Sequence, residues 1–188
     1  MEILKLKGPD HREVLNKAAE AVREGKILVC PTDTVYGLIC DAGNRKALKR
    51  LFEVKSRDKN KPAPLFVKDM KMAKKIARID KEQELFLKKV WPGKLTAVLK
   101  SKKGGTVGLR IPDYKFINQL LLETGRPLTG TSANISGIPG STKIKEVVSQ
   151  FQGRKNQPDL IINAGNLKKS QASTVVDLTV LPPKIIRP

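Results

Sequence analysis

This sequence predicts an α/β fold built on a mixed β-sheet, and two patterns carry that prediction. In the first half, short apolar runs alternate with amphipathic stretches of helical period. In the second half, paired apolar runs flank compact glycine turns, as in hairpins. Helical crossovers give parallel neighbours and hairpins give antiparallel ones, so the sheet should contain both. With 188 residues, 39% of them apolar, the chain has the size of one domain with a real core. No internal repeat, low-complexity tract or long polar linker divides it, so a single domain over residues 1–188 is expected.

The elements follow in order. A short strand, Ile3 to Leu6, precedes a helix from about Asp10 to Glu24. Asp10 and Glu13 have capping-box spacing, Gly25 supplies the stop, and Val14, Ala18 and Val22 form one stripe. "KILVCP" reads as a buried strand, followed by the polar turn "TDT" and then "VYGLICDA". Asn44 is placed to cap a helix through Leu48, Leu51 and Phe52, which runs into the basic segment "VKSRDKNKP". Ala63 to Val67 reads as a strand. Asp69 and Asp80 each read as the N-cap of a helix, the second with Gln83 three residues on. "WPG" breaks the chain, with Trp91 as a packing anchor. "LTAVLK" and "TVGLRI" then alternate around the turn "KKGG", and Asp113 is placed to cap a helix running to Gly125. After "TGTSANISG" come a helix around Lys143 to Phe151, the strand "DLIIN", a glycine loop, the strand "STVVDL" and a closing "KIIRP".

Charge narrows the partners. The formal net charge of +19, from 37 Lys plus Arg against 18 Asp plus Glu, favours anions such as nucleotides, polyphosphates or RNA; the other reading is a Lys-rich solvated surface. Aromatic content is only 4%, which argues against a stacking platform for single-stranded RNA. No apolar run approaches the roughly 18–20 residues of a membrane-spanning helix, and "MEILKLKGPD" lacks the apolar core of a secretion signal, so a cytoplasmic protein is expected. Cys30 and Cys40 have no Cys or His at metal-ligand spacing and read as reduced packing residues.

Several chemistries are excluded. His11, the sole histidine, falls in the first turn of an amphipathic helix, so a Ser-His-Asp or Cys-His arrangement lacks its base. Neither a G-x-x-x-x-G-K-[ST] loop nor a strand-linked G-x-G-x-x-G is present. Three segments at strand–loop or loop–helix junctions remain, each with two readings. "PTDTVYGL" presents Thr32, Asp33, Thr34 and Tyr36 after a buried strand, as a ligand turn or as a tight turn closed by Asp33. "KSRDKNKP" brings Lys55, Arg57, Lys59 and Lys61 together, as a solvated charge run or as a triphosphate site. "TGTSANISG" combines hydroxyls, an amide and glycines, as a capped loop or as an anion or sugar site with exposed N–H groups.

Taken together and in this order, "GKILVCPTDTVYGL", "KSR", "WPGKLTAVL", "VGLRIPD", "PLTGTSANISG", "ASTVVDLT" and "IIRP" resemble the YrdC/Sua5 family of threonylcarbamoyl-AMP synthases, in its short single-domain form. The resemblance covers nearly the whole chain. It implies a twisted α/β sheet around a wide basic cavity, and a reaction of L-threonine, bicarbonate and ATP with Mg2+ that gives threonylcarbamoyl-adenylate and pyrophosphate for tRNA modification. It also implies downstream threonylcarbamoyl-transfer proteins as partners, and the charge adds the expectation of RNA contact, tRNA in particular, through the basic surface. Carried over by position, Thr34, Arg110, Gly130 and Ser173 match threonine-binding positions. Lys55 and Arg57 match the K-x-R motif and are the expected catalytic pair, also facing ATP. Ser132 and Asn134 match the S-x-N motif, and Thr106, Gly140 and Arg187 match further ATP positions. Lys61 stands where the family usually has asparagine, and no protein metal ligand is expected. Two residues depart from the pattern. Arg57 is followed by Asp58 where many members have proline, and Phe66 stands where several have histidine. These departures, with the charge, motivate the rival expectation of a nucleotide- or RNA-binding paralogue, ribosome- or RNA-associated, without synthase activity.

Overall fold

A computed structural model describes residues 1–6, 11–58 and 63–188. The expected mixed pairing is present and is distributed over two sheets. The first has five strands in the order β1 (Glu2–Lys5), β10 (Leu160–Asn163), β2 (Leu28–Cys30), β3 (Gly37–Ile39) and β9 (Thr131–Ser132). Its β1–β10 and β10–β2 pairs are parallel, and β2–β3 and β3–β9 antiparallel. The second follows the order β12 (Lys184–Arg187), β11 (Thr174–Asp177), β6 (Leu95–Ser101), β7 (Thr106–Arg110), β4 (Leu65–Phe66) and β8 (Leu128–Thr129), with β5 (Ala77–Arg78) also on β6.

Strand alternation decides what each face covers. In the first sheet, Leu28, Cys30, Ile39, Leu160 and Ile162 pack against α1 (His11–Arg23) and α5 (Lys115–Thr124). Their neighbours Val29, Leu38, Cys40 and Ile161 point the other way, onto α2 (Arg45–Lys55) and α6 (Ile144–Phe151). This sheet is therefore buried on both faces. In the second sheet one face is filled along β6, β7 and β11, where Ala97, Leu99, Leu109 and Val176 meet α3 (Met70–Ile76) and α4 (Lys81–Val90) through Met72, Ala73 and Leu87, while Phe66 and Leu128 at the β4–β8 end pack on the α1–α5 side. Each fully buried Leu or Ile side chain contributes about 1.5–3 kcal/mol of transfer free energy. The opposite face carries Thr96, Val98, Gly108 and Arg110 and lines a cavity.

The helix signals act through identifiable atoms. Asn44 accepts from the N–H groups of Lys46 and Ala47, Asp69 from Met72, and Asp80 with Gln83 completes a capping box. Gly25 and Gly125 both follow helices with positive φ, 77° and 64°. The expected Asp10 cap lies outside the described residues. The cap position of α5 is Tyr114 rather than Asp113, with no side-chain cap hydrogen bond, because the helix begins one residue later than expected, at Lys115; the Asp113 N–H donates to Asp33 Oδ2 at 3.2 Å. Trp91 is buried and its indole donates to Leu95 O at 2.8 Å, as an anchor for the "WPG" turn should. His11 sits edge-on to Phe116 on the α1–α5 side, in keeping with a structural role. Cys30 and Cys40 are free and buried, and burial pushes both thiols up, Cys40 to about 12.

"TGTSANISG" is more than a loop. Thr129 pairs in the second sheet with Leu65, while Thr131 pairs in the first with Leu38. The chain therefore changes sheets at Gly130, whose N–H donates to Pro64 O at 2.7 Å. No side chain fits there: a Cβ would lie 2.5–2.9 Å from three ring atoms of Phe66.

Candidate functional site

A cavity of about 290 Å³ lies where the two sheets meet, close to the lower end of the roughly 300–1,000 Å³ usual for small-molecule sites. Four parts of the chain build it. The turn after β2 supplies Thr32, Thr34 and Val35; β6 and β7 supply Thr96, Val98, Thr106, Gly108 and Arg110; the sheet-crossing segment supplies Gly130, Thr131 and Ser132; and β11 with its approach and β12 supply Ala172, Ser173, Val175 and Arg187. Arg57, Pro64 and Phe66 complete the wall. Three arginines thus converge on a surface rich in hydroxyls, and among the described residues no carboxylate lines it. Such a wall suits an anion.

Arg110 is the most constrained of the three. Strand alternation turns it away from Leu109 and the core, yet it is only 3% exposed. Its Nη2 meets Asp33 Oδ2 at 2.6 Å, Nη1 meets Thr34 Oγ1 at 3.3 Å, and Nε donates to Gly93 O at 2.8 Å. Three of its five N–H groups are engaged, which leaves two for a ligand. Its guanidinium also lies 5.7 Å from the Phe66 ring centroid. Burial lowers its pKa, and the Asp33 carboxylate opposes that shift. The "TDT" turn is closed by Thr32 and not by Asp33, whose carboxylate reaches Arg110 and the Asp113 N–H instead, and its Thr32 and Thr34 line the cavity. Thr32 Oγ1 bonds Val35 O at 2.6 Å and Thr34 Oγ1 at 3.0 Å, while Asp33 orients the arginine.

Arg187 donates through Nε and Nη2 to Ser173 O, at 3.1 and 2.6 Å, so the last strand and the approach to β11 hold one another at the rim. Ser173 in turn exchanges a hydrogen bond of 2.9 Å with Thr96. Arg57 reaches Thr131 Oγ1 at 3.3 Å, and its burial lowers its pKa.

Of the residues expected from sequence, Thr34, Arg57, Thr106, Arg110, Gly130, Ser132, Ser173 and Arg187 share this one wall. Lys55, Asn134 and Gly140 do not line it. Gly140 backs the wall: a Cβ there would come within 3.1 Å of Ser132 Cβ and 3.2 Å of Val35 Cγ2. Lys55 is 4% exposed beneath the S-x-N segment, and burial, then the Arg57 charge, pushes it down to about 7. Lys59 and Lys61 lie outside the described residues. Pro64, Thr96, Val98, Gly108 and Val175 were not singled out from sequence. The strand period was the available signal, since Thr96 and Val98 share one face of β6 and Gly108 and Arg110 one face of β7. Gly108 leaves room because a Cβ there would meet Pro64 Cβ at 3.2 Å. Among the described residues no group of three or more His, Cys, Asp or Glu side chains could hold a metal ion, and no helix is long and apolar enough to cross a membrane.

Comparison with known proteins adds three likenesses and a family match. The Sua5/YciO/YrdC family model, described as telomere recombination, matches residues 20–188. A Pyrococcus abyssi protein named threonylcarbamoyl-AMP synthase is 37% identical over 181 residues, covering 91% of this chain and 52% of the relative. A Methanocaldococcus jannaschii protein named putative threonylcarbamoyl-AMP synthase is 33% identical over 185 residues, covering 95% of this chain and 86% of the relative. The crystal structure of P. abyssi Sua5 complexed with L-threonine has the same fold, with a TM-score of 0.91 at 33% identity over 100% of this chain and 57% of that one. The chain therefore spans about half the length of the P. abyssi relatives and most of the M. jannaschii one.

Proposed function

The chain belongs to the Sua5/YciO/YrdC family, and from that premise we propose that it is a threonylcarbamoyl-AMP synthase, converting L-threonine, bicarbonate and ATP to threonylcarbamoyl-adenylate and pyrophosphate. The observation that carries the reading is the wall itself: three arginines from separate parts of the chain around hydroxyls, with no histidine or carboxylate among the described lining residues. The threonine amine adds to the carbon of bicarbonate with loss of water, or to carbon dioxide with loss of a proton, and either route gives a carbamate. A carbamate oxygen then attacks the α-phosphorus, and the bond to the bridging oxygen of pyrophosphate breaks. The nucleophile belongs to the substrate, so what the site must supply is positioning and positive charge.

The residues divide accordingly. Arg110, oriented by Asp33, offers its two remaining N–H groups to the threonine carboxylate, with Thr34, Gly130 and Ser173 around it. Arg57 and Arg187 offset phosphate charge, and Thr106 and Ser132 position the nucleotide. Enclosure protects the carbamate from water. Magnesium fits as part of the substrate: a wall of hydroxyls and guanidinium groups does not make a protein-held cation site, whereas triphosphate oxygens do. The adenylate then passes to a threonylcarbamoyl-transfer protein acting on tRNA in the cytoplasm.

The test is direct. Purified protein given MgATP, labelled bicarbonate and L-threonine should release pyrophosphate only when threonine is present, and should accumulate the labelled adenylate. Absence of product across a range of magnesium concentrations and temperatures, with salt-sensitive RNA binding intact, would overturn the reading in favour of a nucleotide- or RNA-binding paralogue.

A further inference from the structure

The two short motifs, K-x-R and S-x-N, each place two functional residues two positions apart, and the fold sends the members of each pair in different directions. α2 ends at Lys55, and Ser56 follows in the left-handed conformation at φ 51° and ψ 45°. That reversal leaves Lys55 buried behind the cavity wall while Arg57 lines it. In the second motif Ser132 lines the wall, Ala133 is fixed by its N–H to Tyr36 O at 2.7 Å, and Asn134 turns behind, 7% exposed.

The two residues behind the wall meet. Lys55 Nζ donates to Ser132 O at 2.6 Å, Asn134 Oδ1 at 2.7 Å and Asn134 O at 3.2 Å, with Ser132 Oγ at 3.4 Å. Ser136 N–H returns to Lys55 O at 2.8 Å. Asn134 Oδ1 also accepts from Ser132 Oγ, and its amide nitrogen donates to Ile135 O and Ile138 O. An ammonium has three hydrogens and a carboxamide has two, with two lone pairs. Both groups are thus fully used inside the protein and have nothing left for a phosphate.

We propose that Lys55 and Asn134 are positioning residues, a buried latch that ties the end of α2 to the S-x-N segment and so fixes where Arg57 and Ser132 stand toward the nucleotide, without touching it themselves. The nucleotide part of the proposal rests on the synthase reading; the latch itself does not. Threonine should feel it little, because Thr34 and Arg110 are held by the "TDT" turn and β7.

Hydrogen exchange and binding on the full chain separate positioning from contact. Lys55→Met, Asn134→Ala and the double variant are compared with the parent protein, following the peptide that spans residues 131–138 and, as reference, β10. Non-hydrolysable ATP and L-threonine are titrated separately. The latch predicts that each single variant raises exchange in 131–138 by about tenfold or more with β10 unchanged. ATP-analogue affinity should fall about as far and threonine affinity stay within about twofold. The double variant should be no worse than the worse single one, because both break the same connection. Unchanged exchange with lost nucleotide affinity would make Lys55 a direct phosphate contact and overturn the proposal, as would fully additive effects. Should Lys55→Met not fold, Asn134→Ala alone decides through the same exchange readout. If the parent binds no ATP analogue, the synthase reading fails while the exchange result still stands for or against the latch.

Discussion

Replacing Gly130 by alanine tests the junction on which the cavity depends. The added Cβ would sit 2.5, 2.6 and 2.9 Å from Phe66 Cε1, Cδ1 and Cζ. Carbon atoms rest at about 3.5–4.0 Å, so ring and backbone must separate by about 1 Å. Neither is free to do so. The Phe66 ring is 3% exposed and has Arg110 nearby, and the Gly130 backbone is pinned to Pro64 O between strands of two different sheets. Overpacking of this kind costs about 1–3 kcal/mol. For a domain of this size a loss of about 2 kcal/mol lowers Tm by about 4–8 °C. Because Phe66 touches the surroundings of Arg110, the KM for threonine should rise together with the loss of Tm. The assay is thermal unfolding and threonine titration of Gly130→Ala, Phe66→Leu and the double variant. Phe66→Leu removes the ring atoms that clash, so alanine at 130 should cost much less in that background. A Tm within about 1 °C of the parent, or an equal loss in both backgrounds, would refute the reasoning.

Two further expectations follow from the site. Arg57→Ala removes a charged donor from the wall; at about 1.5–3 kcal/mol for such a hydrogen bond, kcat/KM for ATP should fall by about 10- to 150-fold, with the melting curve little changed, as steady-state kinetics and calorimetry can check. Lys55 is held near 7 in the fold against 10.5 for the ordinary side chain, so between those values the unfolded chain keeps a proton that the folded chain has lost. The Lys55 contribution to stability therefore rises with pH from about 7 to 10.5 and is absent below that window. Urea melts of the parent and Lys55→Met should show this upward component in the parent alone, and parallel pH curves would contradict it.

Much of this architecture could be read before any coordinates, for physical reasons that differ by element. The caps at Asn44, Asp69 and Asp80 are local chemistry: a short side chain bonds amides two or three residues away, and sequence spacing specifies it. The buried strands around Val29 and Ile161 were legible because both faces are covered, which demands a continuous apolar run. By contrast β5, β8 and β9 have two residues each and carry no period to detect. Their pairing is decided by partners far along the chain, such as Leu65 for Thr129 and Leu38 for Thr131. The segment around Gly130 therefore looked like a loop, although it is the seam between the sheets.

The site shows the same division more sharply. The residue types in "KSR" and "TSAN" allow an anion site as well as a solvated charge run and a capped loop, and their order along the chain matches a family, but residue type does not say which way a side chain points. In a regular strand, positions i and i+2 share a face, so Ser132 and Asn134 would both be expected to meet the ligand. β9 ends at Ser132, and the chain beyond it leaves the strand, which frees Asn134 to turn inward. At the other motif, Ser56 at positive φ breaks the helix and separates Lys55 from Arg57. Both departures from regular geometry occur where the motifs meet, and their combined effect is a lysine–asparagine pair bonded inside the protein and an arginine–serine pair left on the cavity wall. A buried ammonium tolerates such a position only with its acceptors in place, so substitutions at Lys55 and Asn134 should be constrained together, whereas Arg57 and Ser132 answer to the ligand.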